Sequence, residues 1–364
     1  MGLKVASLEL WNFRSFEERS FSFSEGMTIL VGPNAVGKTN TVEALQLLTS
    51  GTSFRKPTAL QLLHEGKEMG KASCVLRGDG RTIDVALELR DGKRRFTWNG
   101  KPCHAHDLAG SLMNVLFTPD DLSLVKRSAA NRRDELDAFG AQVNRGYAKV
   151  LRTYTRSIEQ RNRLLKDPYP DPALLDAWDA SVAVGAATLL KHRLALFQRL
   201  SVAASEIYAH IAEGEELSCS YVSSLGKLPE DPERDELADL MASKLAASRE
   251  QDLRRQMTCV GPHRDDIVFA LSGRDARAYG SQGQQRSVVL AWKMAEVEVS
   301  REILSAEPLL LLDDVMSELD EKRRASLTSF MQEDMQTVIT TTNLGYFPKE
   351  VLDAAEVIEI GRRG

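Results

Sequence analysis

The chain has 364 residues, 43% of them hydrophobic and 27% charged, a balance that can bury a large core and excludes disorder, a fibrous repeat or a small disulfide module. Lys and Arg number 47 against 52 Asp and Glu, a formal charge of −5, so coating nucleic acid through bulk charge is excluded and any DNA contact must come from a local patch. The length predicts a two-part architecture; no apolar run approaches the roughly 18 residues that span a bilayer, and residues 1–10 alternate rather than forming a signal-peptide stretch, so a cytoplasmic protein without a membrane partner is expected. Cys74, Cys103, Cys219 and Cys259 contain no CxxC pair and read as thiols in a reducing compartment. Cys103-His104-x-His106-Asp107 is the one stretch with metal-binding residue types, and no second ligand cluster accompanies it.

Alternation in residues 5–10, at Phe21 and Phe23, and an apolar run from Met27 to Val31 predict three strands; a helix is expected from about Lys38 to Leu48. Residues 72–98 alternate again, punctuated by Gly78-Asp79-Gly80, Asp91-Gly92 and Asn99-Gly100, the residues that two-residue hairpin turns require. From about 121 to 254 the chain becomes alanine-rich and charged with helical periodicity, interrupted by prolines at 168, 170, 172, 229 and 232. After about Thr258 strands and helices alternate, with buried-strand runs at Leu309–Leu312 and Val338–Thr342. The fold class expected is therefore α/β: a discontinuous lobe over 1–120 and 255–364, joined in one sheet, with a helical lobe inserted at 121–254. Folded back on itself, about 130 residues of helix reach at most roughly 100 Å, too little for a long coiled-coil arm.

Between strand and helix, Gly32-Pro33-Asn34-Ala35-Val36-Gly37-Lys38-Thr39 fits G-x-x-x-x-G-K-[ST]. Backbone N–H groups would cradle phosphates, Lys38 would neutralise and activate the terminal phosphates, and Thr39 would ligate Mg²⁺. Downstream, Leu309–Leu312 ends in Asp313-Asp314, where Asp313 would hold Mg²⁺ and Asp314 would orient the attacking water. The alternative is a carboxylate pair that caps the next helix.

Tyr279-Gly280-Ser281-Gln282-Gly283-Gln284-Gln285-Arg286 resembles the signature motif of ABC-type ATPases, with Ser281, Gly283 and Gln284 matching and Gln282 in place of its first glycine; Ser317-Glu318-Leu319-Asp320 resembles the D-loop. Within that superfamily the chain is similar along nearly its whole length to the RecF family of bacterial recombination mediators. The similarity is carried by residues 10–16 (LWNFRSF), 32–40, 51–55 (GTSFR), 117–125, 160–166 (QRNRLLK), 261–266 (GPHRDD), 281–286 and 309–320. The resemblance implies an ABC-type head with a compact helical lobe, ATP and Mg²⁺ as ligands, and slow, DNA-stimulated ATP hydrolysis. It also implies a head-to-tail homodimer in which the phosphate loop, Asn40 included, faces Ser281, Gly283, Gln284 and Asp320 of the partner copy. The implied partners are DNA at single-stranded gaps or junctions and the RecR and RecO mediators.

The departures are Asp314 where the superfamily has Glu, a hydroxyl near Thr341 or Thr342 at the switch position, and a Q-loop whose nearest candidate is residues 117–121. Arg14 either reaches nucleotide phosphates, as such positions do in related heads, or is an exposed turn arginine, and His263 either approaches nucleotide or orders its turn. Positions 126–166 hold eleven basic and four acidic residues. Among them Lys126, Arg127, Arg132, Arg133, Arg145, Lys149, Arg152, Arg156 and Arg163 are the expected DNA contacts, the last five recurring on one helical face. A solvated face without a ligand is the alternative. A transporter ATPase subunit and a structural head of the chromosome-organising SMC type are the competing functions.

Overall fold

The computed structural model describes residues 2–108, 110, 112–212, 214–331 and 334–361. The chain divides into two compact units, Met1–Leu122 with Val289–Gly364, and Ser123–Val288.

The first unit starts with β1 (Lys4–Phe13), β2 (Phe16–Ser22) and β3 (Met27–Val31), followed by α1 (Lys38–Ser50) and the one-turn α2 (Ala59–Leu62). β4 (Met69–Gly78), β5 (Arg81–Arg90), β6 (Lys93–Trp98) and β7 (Lys101–Cys103) come next, then α3 (Ala105–Leu108) and β8 (Asn114–Phe117). β1, β2 and β4–β7 form a six-stranded antiparallel sheet in the order β2-β1-β4-β5-β6-β7. Besides the β1–β2 hairpin, three hairpins of this sheet turn at Asp79-Gly80, Asp91-Gly92 and Asn99-Gly100, and both central residues of each have positive φ. That is the turn whose twist matches paired strands, and Asn, Asp and Gly enter it at least cost. Leu8, Leu10, Cys74, Leu76, Val85 and Leu87 on one face of this sheet bury against Val42, Leu45 and Leu48 of α1.

The second unit contains α4 (Ala129–Val143), α5 (Arg145–Leu164), α6 (Pro172–Ile211), β9 (Leu217–Val222), α7 (Arg234–Arg255), β10 (Asp266–Leu271), β11 (Arg274–Asp275) and α8 (Ala276–Tyr279); α9 (Gln282–Leu304) begins in it. Contrary to the sequence expectation, this part is not purely helical and does not stop at 254. β9 pairs antiparallel with β10 over six residue pairs, and this ladder draws residues 255–288 into the second unit.

A second correction concerns α6. Over 40 residues it contains an 18-residue window of mean hydropathy 1.4, enough by length and composition to cross a membrane. Alanines replace the long aliphatic runs that mark such segments by eye. Val182, Ala183, Ala186, Leu189 and Leu190 instead pack with Tyr154 and Ile158 of α5 and with Leu237, Met241 and Leu245 of α7.

The chain returns to the first unit through β12 (Leu309–Asp313), α10 (Glu321–Phe330), β13 (Thr337–Thr341), α11 (Lys349–Ala354) and β14 (Glu356–Glu359). β14, β3, β13, β12 and β8 form, in that order, a five-stranded parallel sheet. The expectation that segments flanking the insertion share one sheet holds for these strands. Every residue of β8, β12 and β13 is buried, which is why their sequences are uninterruptedly apolar or β-branched.

Candidate active site and nucleic-acid interface

The register of the parallel sheet brings the two halves of the phosphate site together. Val31, the residue before the glycine loop, pairs with Thr341, while Asp313 pairs with Thr340. Both motifs therefore emerge at the carboxyl edge of the sheet one strand apart, a separation of about 10 Å that side chains can close. Gly37 at φ 108 ends the loop and starts α1 without any side-chain cap, so the first-turn N–H groups remain directed at an incoming anion. A Cβ on Gly37 would lie 2.4 Å from the Phe16 ring, and one on Gly32 would lie 2.3 Å from the Ile360 carbonyl; neither position admits another residue without displacement. Pro33, Asn34 and Ala35 form the exposed tip, while Val36 is half-buried.

Lys38 folds over this loop and donates from Nζ to the carbonyls of Gly32 (2.7 Å) and Pro33 (2.8 Å). Burial lowers its pKa, against the opposing pull of Asp314 and then Asp313. Asp313 accepts from the Thr340 hydroxyl at 2.8 Å. Burial raises its pKa, and hydrogen bonds from Thr340 and Thr39, with the charges of Arg55 and Lys38, draw it back down. Asp314 sits at φ 53 in front of a short 3₁₀ turn that it does not cap, which removes the helix-cap alternative. Its Oδ1 is buried without a hydrogen-bond partner, and its pKa is raised by burial, with Lys38 lowering it and Asp313 and Glu318 raising it.

Hydroxyl and carboxylate oxygens beside a phosphate loop are the donor set that Mg²⁺ takes with nucleotide phosphates, and a buried carboxylate oxygen left unpaired fits an absent polar ligand. Thr39 and Asp313 are the residues that would hold the ion, which would offset phosphate charge. No group of three or more His, Cys, Asp or Glu suited to a metal occurs among the described residues, and the rings of His104 and His106 are stacked.

Arg14 belongs to a neighbouring cluster. Its guanidinium forks onto both oxygens of Glu43 (2.9 and 2.8 Å) and donates to the Gln61 carbonyl, so it does not stand free in solvent. The carboxylate of Glu43, fully buried in α1, also accepts from Ser53 and Arg55, and Arg55 reaches Asn40 at 2.9 Å. Arg55 and Thr340 are site residues that the motifs alone did not indicate: GTSFR marked Arg55 without a role, and Thr340 acquires one only from strand register.

In the second unit Ser281 is exposed immediately before α9. Its N–H donates to the Gln284 side-chain oxygen (2.8 Å), and the Gln284 N–H donates to the Ser281 hydroxyl (3.2 Å), a reciprocal capping box. Gly283 is half-buried in the first helical turn. In the first unit Asp320 caps α10 by accepting from the Arg323 N–H (2.9 Å) and pairs with the Arg323 guanidinium.

The basic positions separate into two groups. Arg145, Lys149, Arg152, Arg156 and Arg163 are all exposed on α5, and Lys126 is exposed beside α4, while Arg127 is half-buried and lends its carbonyl to Arg132. Arg132 is a correction. It is buried, bidentate to Asp266 and bonded to the carbonyls of Leu124, Val125 and Arg127, so no donor face remains for a phosphate. Arg133 is half-buried against the Asp265 carbonyl, and it too is held by the fold.

Within GPHRDD, Arg264 is exposed, while His263 and Asp265 are tied to neighbouring elements of the second unit. The Thr258 carbonyl can only accept, so His263 donates to it from Nε2 (3.1 Å) and accepts from the Tyr154 hydroxyl at Nδ1 (2.7 Å). Burial pushes the pKa of His263 down to about 4. Asp265 accepts from Tyr221 and from the Ser224 N–H, while Arg193 binds Asp137 and the Pro262 carbonyl.

A family model for the RecF/RecN/SMC N-terminal domain matches residues 4–358. The "DNA replication and repair protein RecF" of Symbiobacterium thermophilum is 40% identical over 93% of this chain and 92% of its own length. This chain belongs to the RecF family. Its Moorella thermoacetica relative of the same name is 35% identical over 99% of the chain and 95% of its own length. A solved structure of "the recombination mediator protein RecF-ATP in RecFOR pathway" is 30% identical, covers 95% of this chain and 94% of its own, and superposes with a TM-score of 0.89. An SMC head domain from Pyrococcus furiosus shares the fold at 17% identity, TM-score 0.58. The ABC-type ATPase head is thus the fold of this RecF-family chain, and ATP is the nucleotide bound by its solved relative.

Proposed function

We propose that the chain is an ATP-dependent, DNA-binding recombination mediator of repair and replication restart in the cytoplasm. ATP would occupy Gly32–Asn40 with Mg²⁺ on Thr39 and Asp313, Lys38 neutralises the terminal phosphates, and Asp314 orients the water that attacks the γ-phosphorus, so that ADP leaves and inorganic phosphate is formed. Ser281, Gly283, Gln284 and Asp320 of a second copy complete the site, so that ATP holds a head-to-tail dimer together and slow hydrolysis releases it. The dimer acts on DNA, through the α5 stripe with Lys126 and Arg127, and favours recombinase loading at single-stranded gaps together with RecR and RecO.

The observation that carries this reading is the convergence of the loop, Lys38, Thr39 and the unpaired Asp314 Oδ1 at one sheet edge, in a chain whose solved relative is described as a recombination mediator with ATP. The exposed signature serine supports completion by a partner. DNA affinity titrated against salt, with and without ATP, is the deciding experiment. Tight, salt-sensitive binding that ATP strengthens is expected; binding indifferent to both overturns the proposed function.

A further inference from the structure

The signature loop is anchored by a side chain outside its own motif. Gln284 has one amide oxygen and one amide nitrogen to place. The oxygen accepts from the Ser281 N–H, and the nitrogen donates to Glu215 Oε1 at 2.6 Å. The other Glu215 oxygen accepts from the hydroxyl of Tyr208 at 2.8 Å, a residue fully buried on α6. An ionised carboxylate only accepts, so it decides which way the Gln284 amide lies: nitrogen toward Glu215, oxygen toward Ser281. Without it the amide could rotate by half a turn and present its nitrogen to the Ser281 N–H, donor against donor.

Glu215 stands 66 positions from Ser281 in sequence and precedes β9. It also lines an open concavity of about 350 Å³ behind the loop, with Tyr279, Gly280 and Gln284. We propose that Glu215, braced by Tyr208, is a positioning residue that holds the Ser281 loop in its nucleotide-receiving conformation. This rests on the reading that the loop completes the ATP site of a partner copy. A rigid loop loses less freedom on docking than one that must be ordered.

The test compares the full-length wild type with Glu215→Ala, Glu215→Gln and Tyr208→Phe. Light scattering with Mg²⁺ and a slowly hydrolysed ATP analogue gives the protein concentration at half-dimerisation. A fluorescent ATP analogue at protein concentrations below dimerisation gives nucleotide affinity, and hydrogen exchange of the nucleotide-free monomer follows the Ser281 amide. Loss of a charge-assisted hydrogen bond predicts an increase of about tenfold in the half-dimerisation concentration for Glu215→Ala. Nucleotide affinity should stay within about twofold, with faster exchange at Ser281. Glu215→Gln, which retains an acceptor, should recover most of the loss, and Tyr208→Phe should shift dimerisation in the same direction by about threefold.

Dimerisation of a folded Glu215→Ala chain equal to wild type overturns the inference alone. If that variant does not fold, Tyr208→Phe decides in its place: unchanged dimerisation and unchanged exchange overturn it. A wild type that stays monomeric with the analogue overturns the partner-completed site and the inference together.

Discussion

Lys38 and Ser281 make opposite predictions although both serve one triphosphate. Lys38 is packed against the loop that it completes, so Lys38→Met should weaken nucleotide binding at least tenfold, measured by fluorescence titration at low protein concentration. Ser281→Arg should leave that affinity within about twofold and abolish ATP-driven association in light scattering; equal loss of both properties would mean that the serine serves its own copy's nucleotide. His263 gives a pH prediction. Its pKa lies at about 4 in the fold against about 6.5 in the unfolded chain. A base with a depressed pKa contributes stability that is complete above the unfolded value and lost as pH falls through the folded one. Between pH 6.5 and 4 the second unit should thus lose about 3 kcal/mol, and His263→Gln should flatten that slope in urea denaturation followed across the range. Arg132 marks where reading at this scale fails. In the sequence it is one more positive charge, and only its partner 134 positions away, Asp266, turns it from a DNA contact into framework.

Helix α5 carries the test of the DNA surface. Its exposed arginines follow helical spacing, and the buried residues between them, Tyr147, Tyr154, Ser157, Ile158 and Arg161, face inward. Arg161 binds Asp179, Asp252 and Thr258, so a stripe drawn from charge alone must leave it out. Replacing Arg145, Arg152 and Arg156 by Ala should lower the slope of log affinity against log salt by about 2 to 3 while melting temperature holds, because each lost phosphate contact removes close to one released counterion. Arg132→Ala should do the reverse, reducing stability by about 3 kcal/mol through the unpaired Asp266 and three unbonded carbonyls. Elements were legible where the signal is local: three Asn-Gly or Asp-Gly turns, one glycine loop, two apolar strands. β9 was not, because Leu217–Val222 alternates buried and exposed residues for only six positions and acquires its identity from β10, nearly fifty residues downstream.

For the whole molecule, a site shared between copies has a consequence that no single variant reveals. In a mixture of the Lys38→Met and Ser281→Arg chains, a mixed pair contains one intact site, made of the Ser281→Arg chain's phosphate loop and the Lys38→Met chain's signature serine. Each mixed pair has one intact site of two, so two inactive preparations should together recover ATP turnover, up to about half of the wild-type value. Recovery of none would place both residues in the same copy's site. Division into units was only partly legible in the sequence: composition changes near 121, as does the structure, but the return boundary lies at Val288, where α9 passes without interruption.

The position of β3, second from one edge of the parallel sheet, governs the order in which the molecule can be made. Its two neighbours, β13 and β14, are separated from it by about three hundred residues, so as the nascent chain leaves the ribosome the phosphate loop is exposed long before any strand can flank it. The phosphate loop therefore gains its flanking strands only once nearly the whole chain has been made, and until then the apolar Met27–Val31 segment is open to premature association.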